Sequence, residues 1–485
     1  MSRKNLISYF ILTLTILIYS SALPHTLKIF GKNRLSYWQW RENEENFIED
    51  ALDINAMYGN FRGNIEWYIY EPSNVKYALR KEGMRRRFVE FKNPKWSLRA
   101  GNFYQSFGRG LILNQTVEIT GNIDRDIDGF NLSHSIKFLT ISLLSGRPKN
   151  LLFSNGKYTV VNDTSDLLQG GSLSFDLLPS FPFSINVVRL SSDNPGVESP
   201  RETYLYAFNI DVVKGPFIIY AEYAKREGWD EIPFEESEGN GIYGSLTFST
   251  GKASATFEYL NYDKLGYGGS DYRYNAPPTG NLDGYSINRA RDERGWMLDI
   301  ISNPFGSWYF EVNKSMLWTI SSDSIGFDEF YAEIKGDIWK RGPSLLLSLK
   351  NLVYRKPETI IDRKSEWIPH IGIMSSLGSH SLNVGLNSRV VEIDTITFMD
   401  NAVSIDACIF SYLTIAGRWE IRNKEALLES EGMEWKVIEL RWDISDSHTL
   451  NIMAGSEKGG LICSGGVCRI EEPFEGIKIN LLSRF

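Results

Sequence analysis

Apolar and polar residues alternate one for one in several stretches of this chain. Phe330, Ala332, Ile334, Gly336 and Ile338 share one parity, and Tyr331, Glu333, Lys335 and Asp337 take the other. Ala253, Ala255, Phe257 and Tyr259 alternate in the same way with Ser254, Thr256 and Glu258. Ile415, Gly417, Trp419 and Ile421 alternate with Arg418, Glu420 and Arg422, and Ile438, Leu440, Trp442 and Ile444 with Glu439, Arg441 and Asp443. A period of two places alternate side chains on opposite faces of a β-strand. Strands of a soluble sandwich run to about 5–6 residues, whereas a tilted membrane-spanning strand needs about 9–11. These stretches are of the longer kind. Their polar faces hold full charges of both signs, as the wall of a wet lumen does. The pattern predicts a transmembrane β-barrel.

Turn residues cluster near positions 180, 215, 251, 305, 342, 379, 412 and 446, about 35 residues apart apart from one interval of about 54. Each interval holds strand, long loop, strand, the hairpin unit of a barrel with tight turns at one end. Continuing through Asn93-Pro94-Lys95 and Asn60–Gly63 gives roughly 22 antiparallel up-and-down strands, within a range of about 18–24. The chain closes on Phe485, with Ile477, Ile479 and Leu481 on its parity and Lys478, Asn480 and Arg484 opposite. Such an amphipathic last strand resembles the signal read by the outer-membrane barrel assembly machinery.

Composition agrees with an all-β fold: 13% aromatic residues and 41 Gly against 17 Pro. A net charge of −8 argues against nucleic acid as a partner. At the N-terminus, Arg3 and Lys4 precede an apolar run from Leu6 to Tyr19 and then Ser20-Ser21-Ala22, the layout of a cleaved signal peptide. The expected organisation is a signal peptide over 1–22 and a single barrel over 23–485, located in the outer membrane of a Gram-negative-type bacterium.

Residues 99–129 read RAGNFYQSFGRGLILNQTVEITGNIDRDIDG. Gly108 and Gly110 flank Arg109 where only small residues let the chain bend or approach another backbone closely. The block GNFYxxFGxGLIL, and GGLICSGGVCR before the final strand, resemble an uncharacterised outer-membrane β-barrel family widespread in Bacteroidota-like bacteria. The resemblance implies fold and location and carries no activity with it.

Candidate chemistry is sparse. Asp124, Asp126 and Asp128 with Gly129 copy the first half of a calcium loop, but Ser135 stands where the bidentate Glu belongs. The alternative is a turn whose carboxylates face solvent or pair with Arg125. Cys463 and Cys468 flank a Gly465-Gly466 turn and would face each other across a hairpin, placed for a disulfide in an exported protein. Cys408 is expected to be a buried free thiol. The long loop Asp263–Glu293 carries Tyr267, Tyr272 and Tyr274, suited to sugar or partner binding, to folding inward, or to the membrane interface. No nucleophile elbow, phosphate loop or zinc motif is present, so no enzyme activity and no cofactor are expected. The leading expectation is a porin-like passive channel for small hydrophilic solutes, lined by Arg418, Glu420, Arg422, Glu439, Arg441 and Asp443. The alternatives are a closed binding or structural barrel working through its extracellular loops and, third, a membrane enzyme.

Overall fold

The structure, a computed structural model, describes residues 26–485 except 41–44, 74–80, 119–122, 155–156, 163–164, 177–179, 194–200, 231–234, 269–271, 273–279, 283–290, 321–324, 341, 359–360, 395, 424–433, 459, 465–466 and 472. The signal-peptide segment therefore lies outside the described residues. Twenty-four antiparallel strands close into one barrel. The first strand, Lys28–Trp40, pairs with the last, Phe474–Arg484, from Lys32 opposite Arg484 to Trp40 opposite Gly476. The Phe485 N–H donates to the Gly31 carbonyl at 3.0 Å, and the Gly31 N–H donates back to the Phe485 carbonyl at 2.8 Å. Closure leaves no open edge, the condition for crossing a bilayer with strands.

The alternating stretches all fall in wall strands: Ala253–Asp263, Gly326–Asp337, Leu413–Arg422 and Glu434–Ser445. Every turn cluster named above joins two neighbouring strands at one end of the barrel. The strand number lies one hairpin above the expected 22. The turn responsible is Lys137-Phe138, between Ile127–Ile136 and Leu139–Ser154. It has no Gly, Pro or Asn, and Lys137 itself takes a left-handed φ of 48°. Few non-glycine residues do so, which is why the turn has no sequence signature.

Ile219, Tyr223, Ile242, Leu246, Phe257 and Leu298 are exposed on the outer face, forming an apolar band. Exposed apolar area on this scale needs a bilayer to cover it, and the protein is an outer-membrane barrel. On the inner face, Tyr220, Tyr243, Leu260, Leu317 and Phe327 belong to a buried cluster. That cluster is the larger core among the described residues, and it lies inside the barrel.

Candidate functional site

The core exists because the chain turns into its own lumen. Strand Trp96–Phe103 has only 8 residues and its partner Ile127–Ile136 only 10, whereas strands such as Arg201–Lys214 have 14. Phe103 lies opposite Ile127, and the residues between them leave the wall as an insert. Among the described residues its regular structure amounts to two short pairings, Gln105–Ser106 with Asn114–Gln115 and Val117–Glu118 with Ile123–Asp124. Phe107 and Leu111–Leu113 are buried against the inner wall. An apolar run that would read as membrane strand is here packed within protein.

The tip of the insert is Gly108-Arg109-Gly110. The Arg109 N–H donates to the Glu222 carboxylate at 2.9 Å and to the Tyr220 hydroxyl at 3.0 Å. Its guanidinium lies 4.2 Å from the centre of the Tyr220 ring. The same guanidinium donates to the Tyr243 hydroxyl at 3.1 Å and to Ser245 Oγ at 3.0 Å. Tyr220 is near the short-turn end of Phe217–Asp230, so the insert runs down most of the wall. Gly108 has a φ of +56°, and a Cβ there would meet the Glu222 carboxylate at 2.6 Å. The close approach anticipated at this glycine is therefore to a buried side chain.

A second inward segment, from the loop after Ala253–Asp263, locks the first. The Tyr267 hydroxyl donates to the Ile112 carbonyl at 2.6 Å. The Tyr272 carbonyl accepts from the Asn114 N–H and from Gln115 Nε2, each at 3.0 Å. The Tyr272 hydroxyl bonds to Asp166 on the wall. Of the three roles open to these tyrosines, Tyr267 and Tyr272 take the inward one; Tyr274 lies outside the described residues.

The base of the insert is held by charge. Lys149 Nζ donates to Asp126 at 2.6 Å, Asn102 Nδ2 at 2.8 Å, and Arg86 Nε lies 3.5 Å away. Asp124 accepts from Arg86 and, at 2.6 Å, from the Tyr104 hydroxyl. Burial by itself would raise the Asp124 carboxyl, but the Tyr104 hydroxyl and the Arg86 guanidinium outweigh it and hold the group below its usual range. Tyr104 is pushed up by burial and by its bond to Asp124. Asp128 faces Arg87 at 3.4 Å, on an exposed surface. The three aspartates thus reach cations on other strands, Arg86, Lys149 and Arg87. Among the described residues no group of three ligating side chains is placed to hold a metal ion.

Across the barrel, the sequence-derived lining residues join a larger ion-pair network. Arg422 Nε bonds to Asp400 at 2.7 Å, and Arg418 pairs with Glu420. Lys458 bridges Asp400, at 2.9 Å, and Glu420. Arg389 reaches Asp400 at 3.7 Å and Glu366 at 2.8 Å, and Lys364 reaches Glu366 at 2.7 Å. Nearer the short turns, Asn451 donates to Glu439 at 3.3 Å, and Arg441 lies 3.5 Å from Asp443. Sequence reasoning missed Glu366, Arg389, Asp400 and Lys458, because each becomes a partner only through cross-strand register. It likewise missed Tyr220, Glu222, Tyr243 and Ser245, which lie more than 100 positions from Arg109.

Ile477 is exposed on the outer face of the last strand, as is the terminal Phe485, while Lys478 is buried beside Trp38 and Phe474. Ile479 and Leu481 share the parity of Ile477. The Cys463 and Cys468 side chains lie outside the described residues, but the backbone register sets the two residues directly opposite. Cys408 is a free thiol that is half-buried, where full burial was expected; it sits by the short turn at 411–412, and its Sγ donates to the Phe410 carbonyl at 3.1 Å.

No curated protein matches this chain. Among solved structures, the E. coli P pilus tip assembly intermediate PapC-PapD-PapK-PapG is similar, with 9% identity and a TM-score of 0.55 over 94% of this chain and 60% of that chain. The P pilus usher (PapC) translocation pore has 8% identity and a TM-score of 0.48, over 94% of this chain and 99% of that one. OccK11 (OpdR) of Pseudomonas aeruginosa has 12% identity and a TM-score of 0.41, over 74% and 95%. At such identities the likeness concerns the fold alone. A family model matches residues 33–278, which take in the GNFYQSFGRGLIL block and end before GGLICSGGVCR. By that match over half its length, with the insert and the wall beneath it included, the chain belongs to the Family of unknown function (DUF6029).

Proposed function

We propose that this barrel is a passive channel for small hydrophilic solutes whose path is confined to one side of the lumen. The observation that carries this reading is the asymmetry of the inner wall. The insert and its tyrosine lock are packed against the half that includes Asp166, Tyr220 and Tyr243. The opposite half, with Arg418, Glu420, Arg422, Glu439, Arg441 and Asp443, keeps a charged inner face suited to contact with water and polar solutes. On this side six cations (Lys364, Arg389, Arg418, Arg422, Arg441, Lys458) face six carboxylates (Glu366, Asp400, Glu420, Glu439, Asp443, Glu457). Little preference between anionic and cationic solutes follows from that balance.

The full burial of Leu111–Leu113 favours the second reading, a barrel closed by its insert and working through its outer loops. Planar-bilayer recording of the full-length protein separates the two. Steady small steps with little ion preference are expected; a folded barrel that stays silent would replace the channel by the closed barrel. In either reading the last strand, with Ile477, Ile479, Leu481 and Phe485, is the segment offered to the barrel assembly machinery. The Cys463–Cys468 pair would staple an outer hairpin.

A further inference from the structure

On the outer face, a groove of about 760 Å³ lies at the long-loop end of the barrel. Lys314, Asp328, Asn351, Val353, Arg355 and Arg363 line it, together with Asp362 at the start of Ile361–Leu377. These side chains point away from the lumen, because the intervening Asn313, Ser315, Phe327, Glu329 and Leu352 are buried on the inner face. Immediately towards the short turns the same surface becomes apolar: Trp367, Leu347 and Ile371 are exposed there, and Trp367 lies directly opposite Asn351. The groove therefore sits where acyl chains end and headgroups begin.

Its charges are poorly matched from within. Lys314 neutralises Asp328. Arg355 and Arg363 face each other directly across two paired strands. Like charges at that position repel, and among the described residues neither guanidinium has an ion-pair partner. Two guanidinium forks about one cross-strand spacing apart, at a membrane surface, form a receptor for phosphate oxygens. Barrels of this kind place their long loops outside the cell. We propose that the groove binds the phosphorylated headgroup of an outer-leaflet glycolipid, whose anion separates Arg355 from Arg363.

The test uses the full-length barrel in a zwitterionic detergent, with lipid retention followed by native mass spectrometry. The probes are a bisphosphorylated glycolipid, the same glycolipid without phosphates, and inorganic phosphate. The phosphorylated lipid should bind, with Arg355→Gln or Arg363→Gln weakening it about tenfold. Lys436→Gln, which removes an outer-face lysine already paired with Glu434 at 2.8 Å, should leave binding unchanged. Equal binding of the dephosphorylated lipid, or displacement by inorganic phosphate at equal concentration, would overturn the proposal. A second readout guards against misfolding. Without lipid, Arg355→Gln should be at least as heat-resistant as the parent, since it relieves a repulsion. A lower unfolding temperature there would make the arginine structural and sink the idea.

Discussion

Two halves of one sheet face the same lumen and solve different problems. The half holding Tyr220, Tyr243, Leu260 and Leu317 is covered by the chain's own insert, and its inner face joins apolar and phenolic residues to buried polar groups such as Glu222, Ser245 and Glu329. The other half, from Ile361–Leu377 through Glu434–Ser445, keeps Lys364, Glu366, Arg389, Asp400, Arg422 and Glu420. Burying a charge is costly unless it is paired, whereas apolar and phenolic groups gain by burial. Where protein covers the wall, part of the polar parity has therefore been rewritten as a core, and the polar groups that stay, such as Glu222 and Ser245, bond to the insert. On the other half the charges remain and neutralise one another across strands, with Glu366, Asp400 and Glu420 buried among their partners. The comparison teaches that lumen-facing parity does not by itself mean a polar residue.

The strongest way to break this comparison is to remove the cover. Replacing residues 105–125 by a short Gly-Ser linker should leave a heat-modifiable barrel, because closure runs through Lys28–Trp40 and Phe474–Arg484. Conductance should rise severalfold. An unchanged conductance would mean that the insert does not obstruct the path at all.

A smaller effect is expected from one substitution in each half. Gly108→Ala sets a Cβ against Glu222, which cannot swing away without losing its bonds to Arg109 and Tyr220. With the left-handed φ, the cost to insert docking should be about 1–3 kcal/mol. It should register as noisy, flickering current with the barrel intact. Asp400→Asn removes one carboxylate from a balanced network and should shift selectivity towards anions, measured as a reversal potential in a salt gradient, without flicker. If the two variants gave the same signature, the halves would not be functionally distinct.

Much of the wall was legible because a period of two is local: alternation, turn spacing and the closing Phe485 can all be read within a few residues. The insert was not. Its apolar Leu111-Ile112-Leu113 run looks the same whether it meets lipid or Tyr267. Gly108 and Gly110 announced a special backbone without naming Glu222 as the neighbour. The Lys137-Phe138 turn was invisible for the opposite reason, since a lysine took a conformation normally left to glycine. Arg418, Glu420 and Arg422 could be placed on the polar face, but their partners Asp400 and Lys458 depend on register and on a residue beyond the strand end.

The subtlest test uses pH, and its sign follows from Asp124. This carboxylate lies in the insert and is held below its ordinary value of 3.8 by the Tyr104 hydroxyl and Arg86, against the opposing pull of burial. A group depressed in the docked state stabilises docking fully above its free value. That contribution fades as pH falls through the lowered value, when the carboxyl takes a proton and Arg86 loses its partner. Current through the native barrel should therefore be steady from neutral pH down to about 4 and begin to flicker only in stronger acid. Asp124→Asn should flicker mildly at neutral pH and lose most of the further acid response, because its amide cannot titrate. The charged half supplies the control: Asp400→Asn should keep the acid onset of the parent. If Asp124→Asn also kept that onset unchanged, the acid-sensitive contact would have to be sought elsewhere, and the Asp124–Arg86 pair would be an incidental contact at the insert's base.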